Sequence, residues 1–266
     1  MRIAIVGLGA VGQALVKHLS NQAIPNAELV AVVARDKDKA RTTLKQLKIQ
    51  VEVRELHELA ELADIVVECA PAAILEDIAK PVLEAGKKIV VLSVGGLLSH
   101  PQLMDIAART GGQIIVPTGA LLGLDAVSAA AEGHIRSVRM VTRKPTKGLA
   151  GAPFLVKNKI NIEDIDAPLL LFEGTAREAA EGFPANLNVA VALAFAGIGP
   201  DKTYLEIWAD PDITRNTHRI TVDADVARLD MTIENVPSEN PRTGKITALS
   251  VLAALRKIDA PLRVGS

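Results

Sequence analysis

The chain has 266 residues, of which 49% are hydrophobic. At about 150 residues per domain, this length predicts one large domain or two modest ones, each able to bury a core. Thirty lysines and arginines against 31 aspartates and glutamates give a net charge of -1, which argues against a nucleic-acid-binding protein. The single cysteine excludes a disulfide framework and a cysteine-based zinc site, and we expect no metal.

Charged residues interrupt every apolar run before it reaches membrane-spanning length, so we expect no transmembrane helix and no membrane partner. Met1 and Arg2 lead directly into a strand-like segment and glycines, whereas a signal peptide needs a longer apolar stretch. These features predict a cytoplasmic protein.

The first 116 residues alternate between short apolar runs and helical patterns. The runs are of strand length and rich in β-branched residues, and they cover 3–6, 29–33, 65–69, 89–92 and 114–116. Continuous runs of this kind are typical of parallel strands that are buried on both faces. Helical patterns lie between them, and Pro81 is expected to break or kink the one over 72–85. The alternation predicts an α/β domain with a doubly wound parallel sheet of the Rossmann type over 1–116.

Beyond Pro117 the strand candidates become longer and alternate between apolar and polar residues. They cover 134–143, 203–210, 217–223 and 228–235, with helical patterns at 122–131, 186–195 and 245–257 and a long loop at 145–168. Period-two alternation marks a sheet with one covered face. We expect an α+β domain with a mainly antiparallel sheet over 117–241, and a helix in 242–266 that packs back on the first domain. The polar face is either solvated or pairs with a second copy, and we favour a homodimer.

A glycine-rich turn follows the first predicted strand and opens a helix. It has the pattern GxGxxG, formed by Gly7, Leu8, Gly9, Ala10, Val11 and Gly12. In a dinucleotide-binding fold the first glycine allows the tight turn, the second lets the backbone approach the pyrophosphate, and the third allows close helix packing. The helix N-terminus then offers N–H groups to the phosphates. The alternative is a strand–helix turn that merely tolerates glycine.

Two further segments of the first domain are candidates for cofactor contacts. Arg35 can stack on adenine or pair with a 2′-phosphate, and Asp36 can accept a hydrogen bond from the ribose; alternatively, Asp36 simply caps the following helix. The cofactor is therefore NAD or NADP. Cys69 and Ala70 lie at the end of another strand, where small residues allow the nicotinamide-side ribose to lie close, although a lone cysteine is more often a small buried hydrophobe.

Candidates for the chemistry lie from residue 117 onward. Among the five histidines, His218 alternates with Ile220 and Val222 and is therefore expected on the covered sheet face, in a catalytic or a structural role. The small residues of the segment 117–123 allow close approach of a ligand to the backbone. The segment 237–245 carries hydroxyls, an amide and cations that can hold carboxylates, or is an ordinary turn with helix caps.

Taken together, these segments resemble the corresponding parts of the L-aspartate dehydrogenase family. The likeness includes 3–12, 64–70, 117–123, 183–190, 210–211, 216–218 and 235–256. The resemblance implies that His218 is the catalytic residue and that Ala120 and Asn188 contact the nicotinamide cofactor. It also implies a two-domain dimer that oxidises L-aspartate to iminoaspartate with NAD or NADP, reversibly to oxaloacetate and ammonia, in connection with NAD biosynthesis. Arg35 stands where an acidic residue is usual, and Thr118 where serine is common.

In the mechanism that we expect, His218 has a near-neutral pKa and accepts the amine proton of aspartate or orients a water that does so. Lys245, with Thr118, is the candidate anchor for the substrate β-carboxylate. Two other enzymes share this architecture: homoserine dehydrogenase and dihydrodipicolinate reductase, the latter of which would require adjacent histidines that this sequence lacks. The alternatives that remain are a homoserine-dehydrogenase-like oxidoreductase and a regulator that senses NAD or NADP without turnover.

Overall fold

The computed structural model describes residues 1–184, 187–238 and 244–265. The chain divides into two compact units. The first contains Met1–Pro117 and Ala248–Pro261, and the second contains Thr118–Thr247 and Leu262–Ser266. In the described parts of the chain, no helix combines the length and the apolar character needed to cross a membrane.

The first unit is built on a six-stranded parallel sheet in the order β3-β2-β1-β4-β5-β6. Its strands are β1 (Arg2–Val6), β2 (Glu28–Val33), β3 (Glu52–Val53), β4 (Ile65–Glu68), β5 (Lys88–Val91) and β6 (Gln113–Ile115). This is the strand order of the Rossmann fold, so the predicted fold class is confirmed. The order reverses between β1 and β4, and ligands of such sheets bind outside the carboxyl ends of the strands at that point.

Helices connect the strands of the first unit. They are α1 (Ala10–Ser20), α2 (Lys37–Gln46), α3 (Leu59–Leu62), α4 (Leu75–Glu84) and α5 (Gln102–Thr110), with 3-10 turns at Leu56–Glu58, Ala72–Ile74 and Val94–Leu98. Of the break or kink expected at Pro81, the break is wrong, because α4 continues through that residue, whereas the kink stays a prediction. Proline in a helix interior costs about 3 kcal/mol. The fully buried side chains of Ile78, Val82 and Leu83 on either side of it offset that cost.

The helix α11 (Ile246–Asp259) contributes to the core of the first unit, although it follows the second unit in the sequence. Its buried residues Val251, Leu252 and Leu255 recur at helical spacing, and they belong to the same hydrophobic cluster as Ile3 of β1 and Leu15 of α1. The Arg256 guanidinium also donates a hydrogen bond to the carbonyl of Ala23 at 2.7 Å. The sheet is therefore covered on this side by a helix from the far end of the sequence.

The second unit contains a five-stranded mixed sheet in the order β11-β10-β7-β9-β8. Its strands are β7 (Ile135–Lys144), β8 (Leu169–Thr175), β9 (Thr203–Ala209), β10 (Asn216–Ala224) and β11 (Arg228–Asn235). The pair β7–β9 is parallel and the other three pairs are antiparallel, as predicted for a mainly antiparallel sheet. One face of the sheet is covered, since alternate residues of β7, β9 and β10 are buried.

The helices of this unit share one hydrophobic cluster with the covered face of the sheet. They are α6 (Leu124–Ala131), α7 (Thr146–Leu149), α8 (Pro153–Asn158), α9 (Ala176–Gly182) and α10 (Asn188–Ala196). The expectation of a long loop over 145–168 is wrong in part, because α7 and α8 lie there, too short to produce a helical period. Phe154, Phe172 and Phe183 form one aromatic cluster with ring centroids 5.2–6.0 Å apart. This cluster joins the segment to β8 and α9.

Candidate active site

The glycine-rich turn lies where three parallel strands end. The N–H of Gly7 donates to the carbonyl of Val33 at the end of β2 at 2.8 Å, and the N–H of Cys69 donates to the carbonyl of Val6 at the end of β1 at 2.8 Å. Gly7 has a φ of +97°, which a residue with a side chain rarely adopts. These bonds place the turn beside the segments that contain Arg35, Asp36, Cys69 and Ala70.

The three motif glycines differ in what surrounds them, and the differences fit a bound dinucleotide. A Cβ on Gly7 would lie 2.6 Å from the carbonyl oxygen of Cys69, and one on Gly12 would lie 2.0 Å from the carbonyl oxygen of Gly7. A Cβ on Gly9 would meet no described atom within 4 Å. Protein packing therefore requires Gly7 and Gly12, whereas the space at Gly9 suits the close approach of a pyrophosphate.

The helix that follows the turn can complete such a site. It begins at Ala10 and runs for 11 residues, and in the described structure no side chain caps its N-terminus. Leu8, Ala10 and Val11 are only partly buried. The N–H groups of the first turn and the positive end of the helix dipole are therefore suited to phosphate oxygens.

The structure gives Asp36 the capping role that the sequence left as an alternative. Its Oδ1 accepts the N–H of Lys39 at 2.9 Å at the start of α2. Arg35 is exposed on the same loop, directly after β2. Cys69 is partly buried, and burial, with the neighbouring Glu68 carboxylate, raises the pKa of its thiol well above the ordinary value. Cys69 therefore suits a small packing contact, not a nucleophile.

Sequence reasoning missed Glu68, the last residue of β4, whose side chain is fully buried. Its Oε1 accepts the N–H of Ala70 at 2.7 Å. Its Oε2 accepts the N–H of Leu92 at 3.1 Å, the N–H of Ser93 at 2.9 Å and the hydroxyl of Ser93 at 2.7 Å. Burial raises the pKa of Glu68, and these hydrogen bonds oppose the rise. A glutamate inside an apolar strand was the only signal for it in the sequence.

In the second unit, polar side chains replace apolar ones at one end of the covered sheet face. We call this group the polar end; its members, all buried, are Thr142, Lys144, Asn216, His218 and Asn235. His218 of β10 pairs in register with Thr142 of β7, and Asn216 pairs with Asn235 of β11. A buried polar group needs compensating partners, so a cluster of five in one sheet is a candidate for function rather than for core stability.

His218 occupies the middle of the polar end and is 2% exposed. Its Nδ1 lies 3.1 Å from the hydroxyl oxygen of Thr142. Burial, followed by the charge of Lys144, lowers the pKa of His218 from 6.5 to about 3. The expectation of a near-neutral pKa for His218 is therefore wrong, because neither the desolvation nor the nearby cation can be read from the sequence pattern. Among the described residues Thr142 contacts Nδ1, which leaves Nε2 as the ring nitrogen that can meet a ligand.

Asn235 ties two other predicted segments to this end of the sheet. Its Nδ2 donates to the carbonyl of Ala120 at 2.8 Å. A Cβ on Gly244 would lie 3.2 Å from the Cβ of Asn235, so the chain after β11 also passes close by. Asn235 thus brings the loop of Ala120 into the region of His218, a role for which the only sequence signal was its place in the family likeness.

The remaining predicted residues occupy less buried positions in the second unit. Thr118 is partly buried and its carbonyl accepts the N–H of Leu121 at 3.1 Å. Asn188 is partly buried at the start of α10. Lys245 is exposed, and its N–H donates to the carbonyl of Val236 at 2.9 Å. The segment 239–243, within the predicted 237–245 turn, lies outside the described residues. Among the described residues, no group of three histidine, cysteine, aspartate or glutamate side chains is placed to hold a metal.

Comparison with known proteins assigns each of the two parts of the chain to a known domain family. Residues 125–258 match the family model described as "Aspartate dehydrogenase, C-terminal", and residues 7–117 match that described as "Homoserine dehydrogenase, NAD binding domain". The chain is 58% identical to L-aspartate dehydrogenase 3 of Bordetella bronchiseptica over 264 residues, covering 99% of this chain and 97% of the relative. It is 57% identical to L-aspartate dehydrogenase of Bradyrhizobium diazoefficiens over 266 residues, covering 100% and 94%.

A solved structure shares the fold over the whole chain. The crystal structure of aspartate dehydrogenase from Thermotoga maritima has a TM-score of 0.77 with 24% identity, covering 100% of this chain and 99% of that one. The resemblance inferred from the sequence is confirmed, and the fold carries an NAD-binding domain typical of pyridine-nucleotide dehydrogenases. The chain belongs to the L-aspartate dehydrogenase family.

Proposed function

We propose that this chain oxidises L-aspartate to iminoaspartate with NAD or NADP, and that water then converts the imine to oxaloacetate and ammonia in a reversible reaction. The observation that carries the proposal is the polar end, where a buried histidine is held by Thr142 and lies close enough to a buried lysine for its pKa to be lowered. The names of the relatives, which are L-aspartate dehydrogenases, support the same substrate.

His218 is the proposed catalytic residue. The reaction requires the substrate amine in its neutral form, because only its lone pair can form the C=N bond as the α-hydrogen leaves as hydride. For Nε2 to accept the amine proton, directly or through a water, Nδ1 must carry its own proton and donate it to Thr142. Thr142 is thus proposed to fix the tautomer and the orientation of the ring.

The low pKa of His218 sets a condition on this step. A base with a pKa of about 3 does not hold a proton at neutral pH. Aspartate with a neutral amine carries two carboxylates, and their negative charge near Lys144 offsets the second cause of the lowered pKa. We therefore propose that substrate binding itself raises the pKa of His218 and makes it a competent base.

The two carboxylates of the substrate need cationic or hydroxyl ligands. Thr118 and Lys245 are the proposed ligands of the β-carboxylate. Lys144 adds a buried cation at the polar end that sequence reasoning had not considered. A cation that is withdrawn from water attracts a carboxylate more strongly than an exposed one does. Its replacement should therefore affect substrate affinity more than replacement of the exposed Lys245.

The cofactor supplies the hydride acceptor. We propose that residues 1–116 hold it through the glycine turn: Gly7, Leu8, Gly9, Ala10, Val11 and Gly12. Arg35 and Asp36 are proposed to contact the adenosine end, and Cys69 and Ala70 the nicotinamide side. Ala120 and Asn188, in the proposed catalytic part 117–241, are the further nicotinamide contacts. Arg35 can pair with a 2′-phosphate, whereas Asp36 still offers an oxygen to a ribose hydroxyl, so both NAD and NADP are proposed as cofactors.

We further propose a cytoplasmic homodimer that supplies NAD biosynthesis. The solvent-facing side of the second sheet carries paired charges of both signs, including Arg219–Asp230 at 2.8 Å and Arg139–Glu206 at 3.3 Å. Tyr204 on the same side is 38% exposed. A mixed face of this kind is suited to pairing with its own copy, because each charge can meet its opposite. The molecular mass in solution, measured by light scattering, tests the proposed homodimer.

Absorbance of reduced nicotinamide tests the activity. The purified chain is mixed at alkaline pH with NAD or NADP and with L-aspartate, homoserine or glutamate in parallel. We expect a rise with aspartate only, and a fall in turnover of at least about a hundredfold in His218→Asn with the cofactor Kd unchanged. A rise with homoserine instead would favour the homoserine-dehydrogenase-like alternative. No rise with any substrate, despite cofactor binding, would favour a nucleotide sensor.

A further inference from the structure

The most completely buried charge in the first unit is not used by the chemistry described above. Glu68 is fully buried and accepts four hydrogen bonds, three of them from backbone N–H groups. A backbone N–H can only donate, and such donors meet both carboxylate oxygens, so a proton on either oxygen would weaken at least one of these bonds. The set of donors therefore matches an ionised carboxylate.

The position of Glu68 relates that charge to the cofactor. In the sheet register it lies opposite Val6, the last residue of β1, and opposite Val91, the last residue of β5. The next residue after Val6 is the first glycine of the turn. Glu68 is thus at the carboxyl edge of the sheet, at the point where the strand order reverses and where dinucleotides bind.

The two halves of such a sheet each take one nucleotide of the cofactor. The half with β1, β2 and β3 carries the glycine turn and the Arg35–Asp36 loop, and so suits the adenosine end. The half with β4, β5 and β6 is left for the nicotinamide nucleotide. Glu68 bridges the loops after β4 and β5 of that half through Ala70, Leu92 and Ser93.

We propose that Glu68 is a positioning residue that favours binding of the oxidised cofactor over the reduced one. It holds the two loops of the half that would take the nicotinamide nucleotide, and its fixed negative charge lies at the carboxyl edge of that half. The oxidised nicotinamide ring carries a positive charge and the reduced ring does not. A buried carboxylate, little screened by solvent, therefore stabilises the oxidised form selectively.

The test compares the dissociation constants of the oxidised and reduced cofactor in three forms of the full chain. Calorimetry gives the first constant and nicotinamide fluorescence the second, for NAD and for NADP. Pyrophosphate and adenosine contacts are common to both forms, so the ratio of the two constants isolates the ring charge. Glu68→Gln removes the charge and turns an NH2 group toward at least one N–H donor. Ser93→Ala is the matched control, because it removes one donor and keeps the charge.

We expect Glu68→Gln to raise the ratio of oxidised to reduced Kd about tenfold, equivalent to about 1.4 kcal/mol. Ser93→Ala should leave the ratio within about twofold. Equal weakening of both forms in Glu68→Gln would overturn the proposal, because Glu68 would then be only a scaffold. A shift of the ratio in Ser93→Ala as large as that in Glu68→Gln would overturn it as well, since loop geometry would then be the cause.

The wild-type chain provides a second measurement if Glu68→Gln does not fold. Its ratio of oxidised to reduced Kd is measured at about 0.02 M and about 0.5 M salt. Surface charges are screened over this range, whereas a buried charge is screened much less. A preference for the oxidised form that persists at high salt supports the proposal. A preference that is absent, or that disappears at high salt, contradicts it.

Discussion

Replacing His218 should change how the stability of the second unit depends on pH. The pKa of His218 is about 3 in the folded chain, and an unfolded histidine has a pKa of 6.5. Below pH 6.5 protons therefore bind more readily to the unfolded chain. The stabilisation that comes from keeping His218 neutral is fully present above pH 6.5 and is lost as the pH falls toward 3.

The size of the effect follows from the two pKa values. Each tenfold difference in proton affinity is worth about 1.36 kcal/mol, so the full titration corresponds to about 5 kcal/mol as an upper estimate. At pH 5 the histidine is almost fully protonated in the unfolded chain and neutral in the folded chain. Protonation of the unfolded chain therefore lowers the free energy of unfolding by about 2 kcal/mol at this pH. His218→Asn keeps a polar side chain of similar size that does not titrate, and it should lack this contribution.

The assay is urea unfolding at pH 8 and pH 5, followed by tryptophan fluorescence. The chain has one tryptophan, Trp208, which lies in β9 and pairs in register with Arg143 of β7, the residue after Thr142. The signal therefore reports on the unit that contains His218. Other groups titrate equally in both proteins and cancel in the comparison.

Between pH 8 and pH 5, the wild type should lose about 2 kcal/mol more unfolding free energy than His218→Asn. Equal losses in the two proteins, within about 0.5 kcal/mol, would show that His218 titrates near its ordinary pKa when folded. The proposal that substrate binding raises the pKa of His218 would then lose its basis.

Three further predictions concern single side chains. Gly9→Ala should fold normally but bind cofactor at least about tenfold more weakly, whereas Gly7→Ala should lose thermal stability because its Cβ would lie 2.6 Å from a carbonyl oxygen; melting curves and calorimetry separate the two effects. Arg35→Glu should raise KM for NADP and leave KM for NAD nearly unchanged, as measured by parallel kinetics with the two cofactors. A rise in KM for NAD with KM for NADP unchanged would contradict this prediction. Lys144→Met should raise the pKa of His218, so that this variant loses less unfolding free energy than the wild type between pH 8 and pH 5. An equal loss in the two proteins, measured by urea unfolding, would refute this.

The strands of the first unit were predictable because their sequence signal is local. Each of the five runs that were read from the sequence contains consecutive β-branched residues, which parallel strands buried on both faces require. β3 consists of Glu52 and Val53 alone, and two residues cannot form a run. The break expected at Pro81 failed for a tertiary reason, because the residues beside it are buried against the rest of the unit.

The candidate site was only partly predictable. The alternation with Ile220 placed His218 on the covered face, but its pKa depends on Lys144, a residue 74 positions earlier in the sequence. The donors to Glu68 include Leu92 and Ser93, which follow a different strand. Asn235 meets the loop of Ala120 across 115 residues. Such contacts between distant segments leave no periodic trace that a single sequence can reveal.

The placement of α11 has a consequence for how the protein is made. Val251 and Leu255 complete a cluster with Ile3 and Leu15, so the first unit buries its full core only after the whole second unit has been synthesised. A ribosome adds about 5 to 20 residues per second, and the nascent N-terminal part therefore exposes apolar surface for several seconds at least. A fragment that ends at Pro117 should aggregate, and supplying α11 as a separate peptide should rescue its solubility.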